Sequence, residues 1–409
     1  MKSLELFAGG GGLALGIERA GFRHLALVEY NHDACVTLRA NDGGSGPGAV
    51  WPVYETDARE VYYGRWAGKV HLLAGGPPCQ PFSIAGKHRG DTDHRNMFPE
   101  LIRAARVLRP PAILIENVSG LTREAFRPYL DFILLQLRFP TITPRAGEGW
   151  MAHKERLERY AASNAKPDLE YRVTLPTVLN LVDYGVPQNR RRLIIVALRA
   201  DLGLEWTWPE PTHSRDALLY DQWVTEEYWR RHGISRPKLP ASLEATIRRL
   251  SVSSRPHTLP WRTVRDAIQG LPEPIDGEEH PALPNHVGIP GARSYPGHNG
   301  SPYDLPAKTL KAGDHGVPGG ENMLRRDDGS VRYFTVRESA RLQTFPDEYV
   351  FMASRTEAMR QIGNAVPPLV AELLARRLRA LLDPAIRRPA RPNKQDTYLS
   401  TPLLDVVRN

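Results

Sequence analysis

The chain has 409 residues, 41% of them hydrophobic and 24% charged, which is enough to bury two domain cores and rules out a disordered or fibrous protein. Lys and Arg outnumber Asp and Glu, 54 to 46, for a net charge of +8. That balance suits a polyanionic partner without identifying one. The two cysteines, Cys35 and Cys79, make neither a disulfide framework nor a zinc pattern.

The N-terminal run MKSLELFAGGGG lacks the long apolar core of a secretory signal, and no apolar stretch approaches the roughly 20 residues that span a bilayer. The sequence is therefore read as a cytoplasmic protein with reduced thiols and no membrane partner. Short apolar runs at Ser3–Phe7, His24–Glu29, Val70–Ala74 and Ala112–Glu116 predict strands. Helical spacing predicts helices near Leu13–Ala20, Asp33–Ala40 and Met97–Leu108, the last with Met97, Leu101, Ala104, Ala105 and Leu108 on one face. Such alternation predicts an α/β fold: a doubly wound, mostly parallel sheet that binds ligands at the carboxyl ends of its strands.

Residues 140–170 are polar and read as an insertion. Strand-like runs return at Tyr171–Val182 and Leu193–Leu198 and are expected to complete the main sheet. From 205 to 330, Pro and Gly are dense and alternation is lost, which predicts a second, smaller, irregular domain. Residues 1–204 would form the first domain, 331–382 a segment returning to it, and 383–409 a tail. Order resumes at Thr335–Leu342, and a last helix is predicted from Pro367 to Leu382.

Three constellations carry chemistry. Phe7-Ala8-Gly9-Gly10-Gly11-Gly12 follows the first strand, and Gly9, Gly11 and Ala14 satisfy the G-x-G-x-x-A fingerprint. Glu29 ends the next strand, where an acid takes ribose hydroxyls. Asp57 can accept from an adenine amino group or serve as a turn cap. From these residues alone the cofactor is a nucleoside, nicotinamide or S-adenosylmethionine. The second constellation is Gly75-Gly76-Pro77-Pro78-Cys79-Gln80-Pro81-Phe82-Ser83, a stiff loop presenting one thiol at a strand end. The third joins Glu116-Asn117-Val118 to Gln188-Asn189-Arg190-Arg191-Arg192. On an extended segment Arg190 and Arg192 share a face and can bind phosphate or a base carbonyl.

Together these motifs resemble the DNA cytosine-5 methyltransferase family of the bacterial restriction-modification type. The order is FAGGGG, Glu29, GGPPCQPFS, ENV, QNRRR, then RESARLQTFP at Arg337–Pro346 and QIGNAVPP at Gln361–Pro368. The likeness covers roughly residues 2–200 and 300–380. It implies that Cys79 is the nucleophile, Glu116 the acid at cytosine N3 and Arg192 the arginine near O2, supported by Arg190. It implies S-adenosylmethionine as cofactor, held by Phe7, Gly9, Gly11, Gly12, Glu29, Tyr30, Asp57, Pro78 and Asn364. Tyr30 stands where the family often has Trp, and Ala58 where it usually has a bulkier residue. No metal is implied.

The resemblance also implies a flipped-out base in duplex DNA. Gln80, Ser83, Lys87 and Arg89 in the Gln80–Asn96 loop would contact DNA, with Thr309 near the target backbone. Residues 205–330 would read sequence, using some of Arg230, Arg231, Arg236, Lys238, Arg248, Arg249, Arg255 and Arg262. A cognate restriction endonuclease would act on the same site without a stable complex. Rival readings are a tRNA cytosine-5 methyltransferase, a catalytically inactive DNA-binding module and, on the glycine fingerprint alone, a nicotinamide-dependent dehydrogenase.

Overall fold

The computed structural model describes residues 1–41, 50–78, 96–163, 165–313 and 319–387, the side chain of Arg387 excepted. The main sheet uses β1 (Lys2–Leu6), β2 (Arg23–Glu29), β3 (Val53–Glu55), β4 (Leu72–Gly75), β5 (Ala112–Val118), β6 (Tyr171–Val173), β7 (Thr177–Asn180) and β8 (Arg191–Arg199). The order is β3-β2-β1-β4-β5-β8-β6, and β7 also pairs with β8. The first five strands run parallel. β8 turns antiparallel to β5, and β6 and β7 antiparallel to β8. The chain winds outward from β1 in both directions, so the switch point lies between β1 and β4, where such folds open a crevice.

The parallel strands follow from their sequences. LLAG and AILIENV are buried on both faces, as strands covered by helices must be. The helices are α1 (Gly12–Arg19), α2 (His32–Ala40), α3 (Phe98–Leu108), α4 (Arg127–Arg138) and α5 (Trp150–Ala161). They continue with α6 (Arg215–Trp223), α7 (Glu227–His232), α8 (Glu244–Val252), α9 (Val264–Ile268), α10 (Val336–Leu342), α11 (Arg355–Asn364) and α12 (Pro368–Arg387). α3, α4 and α5 cover one face, packing Leu101, Ile133 and Leu157 into a core with Leu6, Leu73, Ile113 and Ile195. α1 and α12 cover the other, with Ile17, Val370 and Leu374 against Leu72, Leu114 and Val196. Close approach of these two helices explains Gly12 and Gly16: a Cβ on Gly12 would lie 2.2 Å from the Val366 carbonyl oxygen, and one on Gly16 2.4 Å from Ala371 Cβ.

Three expectations change. The polar stretch 140–170 contains α5, whose His153 and Leu157 are buried against α4, so part of it belongs to the core layer. The 205–330 region is not irregular throughout: α6, α7 and α8 enclose a separate small core of Leu218, Leu219, Trp223, Tyr228, Trp229 and Leu250. Beyond it, Val264, Ala267, Ala307, Leu310 and Leu324 pack with Ala8, Leu27, Leu38 and Phe345 around the β1–α1 turn and β2. The expected Tyr171–Val182 strand is broken into β6 and β7 around Pro176.

Candidate active site

The site lies along the carboxyl edge of the parallel strands. Between β1 and α1 the chain turns sharply, with Phe7 at φ 60, Gly9 at φ 53 and Gly11 at φ 79. A Cβ on Gly9 would meet nothing within 4 Å, so Gly9 faces open space, whereas one on Gly11 would lie 2.3 Å from Tyr349 Oη. Gly11 and Gly12 are thus glycine for packing, and Gly9 carries the open face of the turn. Glu29 ends β2 beneath it. Its Oε2 accepts from Gly9 N at 2.8 Å, and its Oε1 from Tyr30 N at 3.0 Å and Asn31 N at 2.9 Å. A carboxylate has about four lone-pair positions, so one remains for a ribose hydroxyl.

Tyr30, 71% exposed, presents its ring beside this corner. Asp57 caps the 3-10 turn Ala58–Glu60 by accepting from Arg59 N at 2.8 Å, and it pairs with the Arg59 guanidinium at 2.9 and 2.5 Å. That guanidinium holds the Asp57 carboxyl below its ordinary value, so it is an ionised acceptor. An open backbone turn, a buried acid and an exposed ring fit an adenosine-bearing cofactor.

At the end of β4 the backbone enters Gly76-Pro77-Pro78. Cys79, Gln80, Ser83, Lys87 and Arg89 lie outside the described residues, but the residues flanking them are fixed. Met97 N donates to Pro78 O at 3.3 Å, and Asn117 Nδ2 to Pro77 O at 2.9 Å. Asn117, which sequence reasoning left without a role, therefore ties the loop bearing the thiol to β5. The ENV motif carried the signal: an amide beside an acid at a buried strand end needs a partner. Gly76 leaves room for the acid, since a Cβ there would lie 3.3 Å from Glu116 Oε2.

Glu116 is buried near the end of β5, and Arg192 near the start of β8. In the antiparallel register Val118 faces Arg192 and Glu116 faces Ile194, which makes Glu116 and Arg192 diagonal neighbours on one face. Arg192 Nε stands 2.8 Å from Glu116 Oε1. The N–H is not aimed at that oxygen, so the contact is an ion pair that leaves Oε1 without a hydrogen bond. Burial pushes the Glu116 carboxyl above its ordinary range, against the pull of Arg192 and Arg190. Burial likewise lowers Arg192, which Glu116 opposes. The pair is an acid with a raised carboxyl beside a buried guanidinium at the mouth of the β4 loop.

Arg190 departs from its expected place. It is fully buried, and its guanidinium donates to Gly363 O at 2.8 Å, Ala365 O at 2.9 Å and Leu310 O at 3.4 Å. It does not share an open face with Arg192. It clamps the end of α11 and the 307–310 segment to the start of β8. Gln188 strengthens that clamp by accepting from Leu310 N at 2.9 Å. Thr309 lies on the clamped segment, its hydroxyl donating to Asn189 O. Asn364 ends α11 with an exposed side chain. Cys35 is buried and its thiol, donating to Glu29 O at 3.4 Å, is pushed up to about 12, so it is no nucleophile. Among the described residues, no three or more His, Cys, Asp or Glu gather to hold a metal, and no helix is long and apolar enough to cross a membrane.

Known proteins share this fold. The structure of a putative DNA modification methyltransferase encoded within an Escherichia coli prophage superposes with a TM-score of 0.56 at 22% identity, over 94% of this chain and 99% of that one. Schizosaccharomyces pombe Dnmt2 does so at 0.53 and 18%, over 94% and 99%. These two likenesses establish the fold. In sequence, the chain is 34% identical to the Type II methyltransferase M.Eco47II of Escherichia coli, over 94% of this chain and 80% of the relative. It is also 34% identical to the Type II methyltransferase M.NgoMIV of Neisseria gonorrhoeae, over 92% and 96%. The model for C-5 cytosine-specific DNA methylases matches residues 1–139, 149–257 and 292–380. The chain belongs to that family and is a DNA cytosine-5 methyltransferase.

Proposed function

We propose that this enzyme transfers a methyl group from S-adenosylmethionine to carbon 5 of a flipped-out cytosine in a specific duplex DNA sequence, through a covalent Cys79 adduct. The observation that carries this reading is the buried Glu116–Arg192 pair at the mouth of the loop leading into Cys79. Carbon 5 of cytosine is a weak nucleophile. The Cys79 thiolate adds to carbon 6, and the ring electrons move toward carbon 5. Glu116, holding its proton, donates to N3 and stabilises the charge that develops on the ring. Arg192 faces the cytosine O2 and keeps the carboxyl in place.

The cofactor supplies an electrophilic methyl on a sulfonium. Phe7, Gly9, Glu29, Tyr30 and Asp57 bind and orient its adenosine, with Pro78 and Asn364 beside it. Loss of the carbon-5 proton to a base then expels Cys79 and restores the ring. The target base leaves the duplex at a cost of a few kcal/mol, with Gln80, Ser83, Lys87, Arg89 and Thr309 holding the DNA around it. Residues 205–330 read the sequence. Arg190 supports the site by clamping rather than by touching substrate. The 34% identity to two Type II methyltransferases favours a role in protecting host DNA from a restriction endonuclease that cuts the same site.

The deciding experiment supplies labelled S-adenosylmethionine with either duplex DNA of mixed sequence or bulk tRNA, beside Cys79→Ala. The expected result is 5-methylcytosine in DNA alone, absent with the variant. Label in tRNA would move the substrate to RNA. Label persisting in Cys79→Ala would sink the covalent mechanism.

A further inference from the structure

The segment 293–300 lies outside the α6 to α8 unit and has no part in the chemistry above. Its Pro296-Gly297 pair favours a tight turn. The turn is formed: Tyr295 N donates to His298 O at 3.3 Å and His298 N to Tyr295 O at 2.8 Å, with Gly297 at φ 82. The side chains at its base lie face to face, ring centroids 4.4 Å apart and planes within 4°. His298 is 9% exposed and Tyr295 55%, so a buried imidazole backs a phenol ring that solvent still reaches. Turn and stack together hold that ring in one orientation.

The hairpin is also fixed beside the crevice. Lys308 Nζ donates to Asn299 Oδ1 at 2.8 Å and to Gly319 O at 2.6 Å, and Lys308 N to Ser301 Oγ at 3.0 Å. The same segment is tied to the approach to β8: Asn189 N donates to Ala307 O at 2.8 Å, and the Thr309 hydroxyl to Asn189 O. Arg192, three residues on, pairs with Glu116. Arg293 is exposed and makes no ion pair or hydrogen bond among the described residues. Arginines elsewhere in this region are committed, Arg265 to Asp304, Arg326 to Glu273 and Arg332 to Glu338.

We propose that this hairpin is a DNA-contacting element, Tyr295 stacking the open face of its ring on a base next to the target cytosine and Arg293 pairing with a phosphate; this rests on the DNA reading given above. Every base has a π-face, so an aromatic ring binds bases by stacking whatever their sequence. In an intact duplex those faces are covered, but extrusion of the target uncovers its neighbours. A ring already ordered by His298 loses little freedom when it meets one. An unpaired guanidinium two residues away suits the adjoining phosphate.

The test is binding of the full-length protein, at several salt concentrations, to a duplex carrying the site mapped from the parent's own methylation products. Tyr295→Ala, Tyr295→Phe and Arg293→Gln are measured beside the parent. Tyr295→Ala should bind about tenfold more weakly at each salt concentration, while Tyr295→Phe, which keeps the ring, stays within about twofold. Stacking releases no counterions, so both should keep the parent's salt dependence. Arg293→Gln should make the slope of log affinity against log salt shallower by about 0.9, the share of one phosphate. All three should melt with the parent and bind S-adenosylhomocysteine as it does, since the altered side chains are exposed. Tyr295→Ala binding within about twofold of the parent would overturn the assignment. So would an equal loss in Tyr295→Phe, which would make the contact the hydroxyl's, or a loss matched by weaker S-adenosylhomocysteine binding, which would make the hairpin a prop of the fold. An unchanged slope in Arg293→Gln would remove the phosphate contact. A parent that methylates no duplex would instead defeat the DNA reading, and the assignment with it.

Discussion

Glu116 is an acid asked to keep its proton beside a guanidinium, and two opposed effects decide whether it does. Arg192 at 2.8 Å favours the carboxylate, while burial favours the acid, and burial is the larger. The protonated form therefore persists above the ordinary carboxylate range and is lost as pH rises through the raised value. Thiolate formation at Cys79 runs the other way, increasing with pH. Single-turnover rates should pass through a maximum, with Glu116 setting the falling limb. In Glu116→Gln the amide still donates to N3 but cannot titrate. Its rate should drop by about 10²–10⁴ and keep only the rising limb. A falling limb that survives in the variant would assign it to another group.

Among the secondary elements, α1 shows how a buried imidazole fixes the glycine turn. His24 on β2 places Nε2 3.0 Å from Ala14 O and Nδ1 3.0 Å from Ser3 Oγ. A carbonyl only accepts, so Nε2 carries the hydrogen and Nδ1 accepts from the serine. Burial lowers this imidazole to about 4 from its ordinary 6.5. Its folded value lies below the unfolded one, so the stabilisation is complete above pH ~6.5. It is lost as pH falls toward ~4, amounting to about 3 kcal/mol at ~1.4 kcal/mol per unit. Urea melts of the parent should weaken across that window, and His24→Gln, which cannot charge, should show a smaller slope there. Equal slopes would place the acid sensitivity elsewhere.

The same elements show what a sequence discloses. β1, β2, β4 and β5 were legible because strands buried on both faces read as continuous apolar runs, and α3 because its apolar residues recur on one face. The acid of β5 and the arginine of β8 were legible as motifs, but their pairing is not: it depends on the antiparallel register of two strands far apart in sequence. Arg190 shows the limit most clearly. Period-2 alternation put it on the face of Arg192, yet β8 begins only at Arg191, and the residue before it turns inward to three carbonyls. α6 to α8 were missed because their Arg- and Trp-rich sequence, packing a local core of its own, breaks the simple apolar stripe.

Across the molecule, the separation of cores has a mechanical consequence. Leu218, Trp223, Tyr228, Trp229 and Leu250 form a cluster apart from the three clusters that pack the sheet and the cofactor side. Val264, Ala267, Ala307, Leu310 and Leu324 belong to the cofactor-side cluster instead, so the independent unit within 205–330 is centred on α6 to α8. Perturbing that unit should affect DNA recognition while leaving the cofactor crevice intact. Trp229 is the suitable lever: it is 3% exposed, donates from Nε1 to Gln222 O at 2.5 Å and meets Tyr228 and Trp223 edge-on. Trp229→Ala removes a large side chain from a small core, a change that costs about 3–5 kcal/mol in ordinary cores. Local unfolding of this unit should then precede that of the sheet, visible as faster hydrogen exchange confined to α6, α7 and α8. Affinity for duplex DNA should fall, and S-adenosylhomocysteine should bind as it does to the parent. If instead exchange quickened throughout and the nucleoside affinity fell in step, the small core would be coupled to the rest, and α6 to α8 would not be a separable recognition unit.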